Sequence, residues 1–407
     1  MMPPTEVVCL IVAVLLLASV FASKLSNKIG IPALLFFLFI GWLVGAVGGI
    51  SLNNPAIAKF IGDFALIFIL FSGGLGTEWN AIQPVLGKGL SLSTLGVFIT
   101  TLLLGTFAWF ILGSFDSFLI GVKGISFPEG LLLAAIVSST DAAAVFSVLR
   151  SSHLGLKGNL QPLLELESGS NDPMAVLLTT TLINIITGTN TSPINVGISL
   201  VMQLVIGAAV GYGAGLALVW AINRLNLNPQ GLYPVATIAL VLLTYSATTF
   251  LGGNGFLAVY IAGVVKGNRP FIYQDTIISF HDGVAWLMQI IMFLTLGLLF
   301  VPYQTELYSV ASVAAIISLF LMFVARPISV FVSLAWTKMP FREKLLIAWV
   351  GLRGSVPIVL ATFPLAVGMA QAGEIFTIVS FIVVTSVLIQ GFSLATVARW
   401  LDLALDD

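Results

Sequence analysis

The sequence predicts an all-α polytopic membrane protein of about 13 transmembrane helices, and three observations carry that prediction. Charged residues make up only 8% of the 407 positions, against about 25% in a soluble domain. Apolar runs of about 20 residues, the length that crosses hydrocarbon, recur from one end of the chain to the other. The runs also lack the in–out alternation of barrel strands. Lipid offers the backbone no hydrogen-bond partners, so runs this apolar must fold as helices.

The first run, Val7 to Phe21, is preceded by Glu6 and by no Lys or Arg. It lacks the basic stretch of a secretory signal and reads as a retained first helix. Breaks rich in charge, Gly, Pro or Asn place the helices near 6–22, 33–50, 58–75, 84–112, 128–149, 160–186, 196–222, 231–251, 255–266, 282–301, 306–335, 341–365 and 374–400. Lys and Arg favour cytoplasmic loops. With the N-terminus outside, the inner connections carry Lys24, Lys28, Lys88, Arg150, Lys157, Arg224, Lys266, Arg269, Lys338, Arg342, Lys344 and Arg399, and the outer ones only Lys59 and Lys123. One missed or invented helix would invert every later loop. The asymmetry therefore supports 13 helices, an outer N-terminus and a cytoplasmic C-terminus.

Such a count permits two inverted six-helix repeats joined by the seventh helix, an arrangement common in secondary transporters. Gly207, Gly211 and Gly215 on the seventh helix, and Gly41 and Gly45 on the second, allow close helix contact, and packing within the chain accounts for them. No Gly-rich phosphate loop ends in Lys-Ser or Lys-Thr, and no connection is long enough for an ATPase domain, so the chain reads as a gradient-driven transporter rather than an enzyme. A net charge of −1 without a basic patch argues against nucleic-acid partners. The single cysteine, Cys9, has no metal-ligand spacing around it, and no cofactor is expected.

Charges at membrane depth cost about 2.5–3.5 kcal/mol each on insertion scales and mark function by default. Four lie near helix centres: Asp141 in Ser138-Ser139-Thr140-Asp141, Glu167 and Asp172 in Glu167-Ser168-Gly169-Ser170-Asn171-Asp172-Pro173, and Arg353 in Gly351-Leu352-Arg353-Gly354-Ser355-Val356-Pro357. Pro173 frees the Gly169 carbonyl and loosens the helix beside Asp172. Ser168, four residues before Asp172, shares its helical face, so hydroxyl and carboxylate can converge on one hard cation. On the twelfth helix Gly351, Gly354 and Pro357 predict an unwound stretch. Its repeat counterpart at Thr140-Asp141 has no Gly or Pro to mark a break; if both unwind, their half-helix ends meet at the midplane. Glu167 is the expected ion-pair partner of Arg353, which leaves Asp141 and Asp172 as a surplus of acid suited to a cation.

The remaining charges have plainer readings. Lys59 and Asp63 form a helical pair, Arg326 reaches the inner interface or a nearby carboxylate, and Glu165 is solvated. His153 and His281 are expected on the cytoplasmic surface.

Thr140-Asp141, Glu167-Ser168-x-x-Asn171-Asp172 and Gly351-Leu352-Arg353-Gly354, in that order, resemble the three signature segments of the monovalent cation/proton antiporter family of bacterial NhaP-type and animal sodium/proton exchangers. The resemblance covers nearly the whole chain, and the run from Glu167 to Thr179 looks closest to the bacterial potassium/proton branch. It implies a homodimer whose mobile core (84–186 and 306–400) moves like an elevator against a dimerisation scaffold (1–83 and 187–305). It further implies a K⁺ or Na⁺ site at Asp172, Ser168, Thr140 and Asp141, shaped by Asn171, with Glu167 paired to Arg353. Where many relatives carry an acid before a Gly-Gly in the third helix, this chain has Phe71-Ser72-Gly73-Gly74; where relatives of the potassium branch often continue into a cytosolic domain, it stops at Asp407. The expected activity is exchange of one monovalent cation for one proton. A cation channel and a proton-coupled transporter of another solute are the alternatives.

Overall fold

The computed structural model describes residues 5–29, 32–48, 54–114, 124–152, 154–188, 192–225, 227–300, 303 and 306–406. Lys123 and His153 lie outside the described residues. The chain opens with α1 (Thr5–Ile29), α2 (Ala33–Gly48) and α3 (Pro55–Gly76); Asn54 caps α3 by accepting from the Ala56 and Ile57 N–H groups. A near-continuous helical path follows, through α4 (Trp79–Ile82), a 3₁₀ turn at Gln83–Val85, α5 (Leu86–Ser91), a π turn at Leu92–Gly96 and α6 (Val97–Trp109). The 3₁₀ turn sits at Pro84, which has no N–H to donate into an α ladder.

The next predicted helix is two: α7 (Phe127–Ile136) and α8 (Ala142–Ser151). After α9 (Leu160–Ile186) come α10 (Pro193–Arg224), α11 (Leu232–Phe250), α12 (Gly255–Gly267) and α13 (Gln274–Phe300). A further path runs through α14 (Glu306–Phe320), a π turn and α15 (Arg326–Ser333). A second broken helix comprises α16 (Phe341–Trp349) and α17 (Ser355–Ala366), and α18 (Ala372–Ser386), a π turn and α19 (Phe392–Trp400) complete the bundle. Helices lie along the predicted spans, and among the described residues 8 are long and apolar enough to cross a membrane, against the 13 expected. α9 is long enough but too polar around residues 167–172 to count among them.

Small residues set the closest crossings. Gly41 of α2 faces the Leu294 carbonyl of α13, and Gly207, Gly211 and Gly215 of α10 face Asn254, Ala258 and Val265 on or beside α12. The expected packing within the chain is what these glycines do. Lys59 and Asp63 form their helical pair at 2.5 Å, with Lys59 Nζ 4.1 Å from the Phe363 ring centre.

Two surface expectations are overturned. α13 begins at Gln274 instead of 282, which carries His281 into the bundle, fully buried and edge-on to Phe71 at 5.0 Å. Lys266, assigned above to an inner connection, is buried on α12 with its Nζ 3.1 Å from the Phe271 ring centre. α13 thus starts eight residues earlier than its hydropathy implied, whereas Lys266 lies within the predicted span of α12 and turns inward over an aromatic face that accepts its charge. A short antiparallel pairing of β1 (Leu154–Leu156) with β2 (Ala404–Asp406) clips the end of the chain to the α8–α9 connection. Lys157 Nζ donates to Asp402 at 2.8 Å, and that bond holds the exposed Asp402 carboxyl below its usual range.

Candidate functional site

A helix interrupted inside a bundle exposes carbonyls at one end and N–H groups at the other, each needing a partner. Among the described residues two such interruptions, at 137–141 and 350–354, cross each other: the Asp141 N–H donates to the Leu352 carbonyl at 2.8 Å. The break at 137–141, which nothing in the local sequence marks, is thus held open by the other one.

Charged side chains meet the four half-helix ends. Arg353 Nη1 donates to the Ser138 and Ser139 carbonyls at 2.6 and 2.8 Å, just beyond the C-terminal end of α7, and its own N–H donates to Ser386 Oγ at 3.1 Å. Arg326 does the matching job at the end of α16, where Nη2 donates to the Ile347 carbonyl at 3.3 Å. Guanidinium groups suit the negative ends of helices. Asp141 caps the opposite end of the first break: its Oδ1 accepts from the Ala144 N–H at 3.0 Å, and its carboxylate abuts Gly354, the N-cap of α17. One carboxylate therefore faces two positive helix ends.

The expected pair of Glu167 with Arg353 is not the one formed. Glu167, 1% exposed, lies 2.5 Å from Arg326 Nη1. The contact is an ion pair, and neither Glu167 Oε1 nor Arg326 Nε has a hydrogen-bond partner beside it. Arg353 is committed to carbonyls that only the tertiary fold brings near, and the residue with the plainer sequence reading takes the acid.

The other predicted residues do converge. Asn171 clamps the first break, accepting from the Thr140 N–H at 3.3 Å and donating through Nδ2 to Thr140 Oγ1 at 2.7 Å. Ser168 Oγ donates to the Thr140 carbonyl at 2.7 Å and accepts from the Ala142 N–H at 3.0 Å. Asp172 accepts from Ser139 Oγ, a partner the sequence reading did not single out. Thr140, Asp141, Ser168 and Asp172 all line one cavity of about 870 Å³. Asp141 and Asp172 are half-buried against it, and it also takes in Arg150 and Glu165 near the ends of their helices. Such a site can present carboxylate, hydroxyl and carbonyl oxygens to a hard cation.

Sequence reasoning missed one acid here. Ser72 Oγ donates to Asp282 Oδ1 at 2.8 Å, and both line the cavity. The acid missing from Phe71-Ser72-Gly73-Gly74 thus has a counterpart on α13, separated from Ser72 by 210 positions. Among the described residues no cluster of three or more His, Cys, Asp or Glu side chains is arranged for a metal cofactor.

Gly354 offers a local test. A methyl group there would overlap the Asp141 carboxylate and force it from its capping position. Gly354→Ala is expected to abolish transport with at most a modest loss of stability; wild-type flux by the purified variant in liposomes would show that the junction tolerates displacement of Asp141.

Residues 12–400 match the sequence model of the sodium/hydrogen exchanger transmembrane family. The chain is 43% identical over 398 residues to the K⁺/H⁺ antiporter NhaP of Alkalimonas amylolytica, covering 97% of this chain and 67% of that protein. It is 39% identical over 399 residues to the K⁺/H⁺ antiporter NhaP2 of Shewanella oneidensis, covering 96% and 66%. It thus spans about two thirds of the length of these relatives. The solved structure of the sodium proton antiporter MjNhaP1 from Methanocaldococcus jannaschii at pH 8 superposes with a TM-score of 0.78 and 25% identity, covering 97% of this chain and 99% of that one. Crossed broken helices, acids at their junction and a match along nearly the whole length establish that this polytopic helical membrane protein belongs to the sodium/hydrogen exchanger family.

Proposed function

We propose that the protein exchanges a monovalent cation, K⁺ or Na⁺, for H⁺, one for one, through a single site that cation and proton occupy in turn. The observation that carries the reading is Asp172: a half-buried carboxylate at the junction of the broken helices, facing a cavity, with the non-ionising Asn171 beside it. Asp172, Ser168 and Thr140 supply the cation's oxygens and Asn171 fixes their spacing. Asp141 is committed to capping α8, so only Asp172 switches between proton and cation. K⁺ is the first substrate to try, because the relatives at 39–43% identity carry that ion in their names.

The elevator reading has its support in the contacts. The site sits at the break between α7 and α8 and on α9 and α17, within the expected core of 84–186 and 306–400, and the cavity is also lined by α1, α2, α3, α12 and α13 of the expected scaffold. In this reading the cavity opens to the cytoplasm with the N-terminus outside, supported by Arg150 and Glu165 in its lining and by the Lys and Arg distribution along the chain. A homodimer built on the scaffold half, in a bacterial inner membrane, completes the proposal.

Purified protein in liposomes with a trapped pH dye is expected to collapse an imposed pH gradient when K⁺ or Na⁺ is added. Flux that persists without counter-transport of protons would instead indicate a channel, and gradient collapse only by an organic solute would indicate the other alternative. If exchange is one for one, each crossing carries constant charge, and the membrane potential, worth about 2.3 kcal/mol per charge per 100 mV, cannot drive it. Solid-supported-membrane recordings on a preparation active by the dye assay are expected to show no sustained pump current. A current that follows the cation gradient would make Asp141 a second proton carrier.

A further inference from the structure

The ion cavity has a wall residue that neither the family signatures nor the reading above uses. Tyr260 on α12 is 5% exposed and lines the same cavity as Asp172 and Ser168. It also lines a second cavity of about 670 Å³, largely apolar, so its ring separates the two. The ring lies flush on α9: a Cβ at Gly169 would come within 2.6 Å of Cε2, Cζ and Oη. The phenol oxygen is therefore held against the backbone three positions before Asp172. Its polar surroundings are the Thr77 and Ser170 hydroxyls and the carboxylates of Asp172 and Glu165. The Thr77 and Ser170 hydroxyls are near enough to interact with it as long hydrogen bonds, but no group meets it at the distance and angle of a normal one.

A buried hydroxyl without a normal partner is uncommon and points to an occupant that completes it. The flanking carboxylates make that occupant cationic, and a hard cation takes about six or more oxygens, leaving room for a further ligand beside those of Asp172, Ser168 and Thr140. We propose that Tyr260 Oη is the scaffold's oxygen ligand to the cation bound at Asp172, and that it helps set affinity and the choice between K⁺ and Na⁺. The inference rests on the cation-site reading given above. A neutral phenol adds coordination without adding charge, so it alters affinity and selectivity and leaves the exchange ratio unchanged. Because Tyr260 belongs to the expected scaffold and Asp172 to the expected core, the ligand is present only while the two face each other.

Tyr260→Phe removes the one oxygen and keeps the ring on Gly169 and the wall between the cavities. Loss of one ligand to a charged group is expected to raise KM for the cation about tenfold. The maximal rate should stay within about twofold and the ratio of kcat/KM for K⁺ over Na⁺ should shift. Cation-dependent thermal stabilisation, which reads binding without transport, is expected to need about tenfold more K⁺ for the same rise in Tm. Unchanged KM, selectivity and K⁺-dependent stabilisation in a folded Tyr260→Phe protein would overturn the assignment and leave the hydroxyl a partner of water only. A wild-type protein that is stabilised by K⁺ but exchanges none would defeat the antiport reading, and the stabilisation of the variant would still decide Tyr260.

Discussion

Asp172→Asn is expected to reduce cation-coupled proton flux to the level of protein-free liposomes while the protein still folds. The amide keeps the shape of the side chain and an oxygen for the Ser139 hydroxyl, so the junction loses no packing and no hydrogen-bond acceptor. What disappears is the group that trades a proton for a cation. The amide can neither carry the proton nor supply the negative charge that offsets the cost of dehydrating the ion. Thermal unfolding should therefore stay close to wild type while pH-dye dequenching on adding K⁺ or Na⁺ vanishes. Substantial cation-coupled flux from the purified variant would move the exchanging group to another residue, with Asp141 next in line.

The largest stability effect is expected at the buried ion pair. Arg326→Ala leaves Glu167, 1% exposed, without its counter-charge. Stranding a charge of this kind costs about 3–5 kcal/mol. The substitution also frees the Ile347 carbonyl at the end of α16, so Tm should fall steeply. Removing both charges, as in Glu167→Gln with Arg326→Met, should recover most of the loss, because a neutral pair of similar volume carries no desolvation penalty. The double-mutant cycle separates the two arginines. Glu167 should couple strongly to Arg326 and weakly to Arg353, whose guanidinium is spent on the Ser138 and Ser139 carbonyls. A stronger coupling of Glu167 to Arg353 would reverse the pairing.

The chain's membrane character, the order of its helices and the acids that meet at the two breaks were legible without coordinates, because each is a local property. Hydropathy over about 20 residues marks a span whatever packs against it. An acid at membrane depth is conspicuous wherever it points, which is why Asp141, Glu167 and Asp172 stood out. The unwinding near Arg353 was legible because Gly351, Gly354 and Pro357 weaken a helix by themselves.

Tertiary structure decided everything that depends on a partner distant in sequence. The break at 137–141 contains no helix-breaking residue; it exists because Leu352, Asn171 and Arg353 supply its hydrogen bonds from other helices. The two arginines exchanged roles for the same reason: the carbonyls that occupy Arg353 lie 215 and 214 positions away, and no spacing rule connects them. His281 went inside where Phe71 of α3 faces it across the bundle, and Asp282 reached the cavity through Ser72; Lys266, by contrast, turns inward over Phe271, five positions further along the chain. A sequence fixes which groups need satisfying in the low dielectric of the bundle, and the fold determines which distant group satisfies each one.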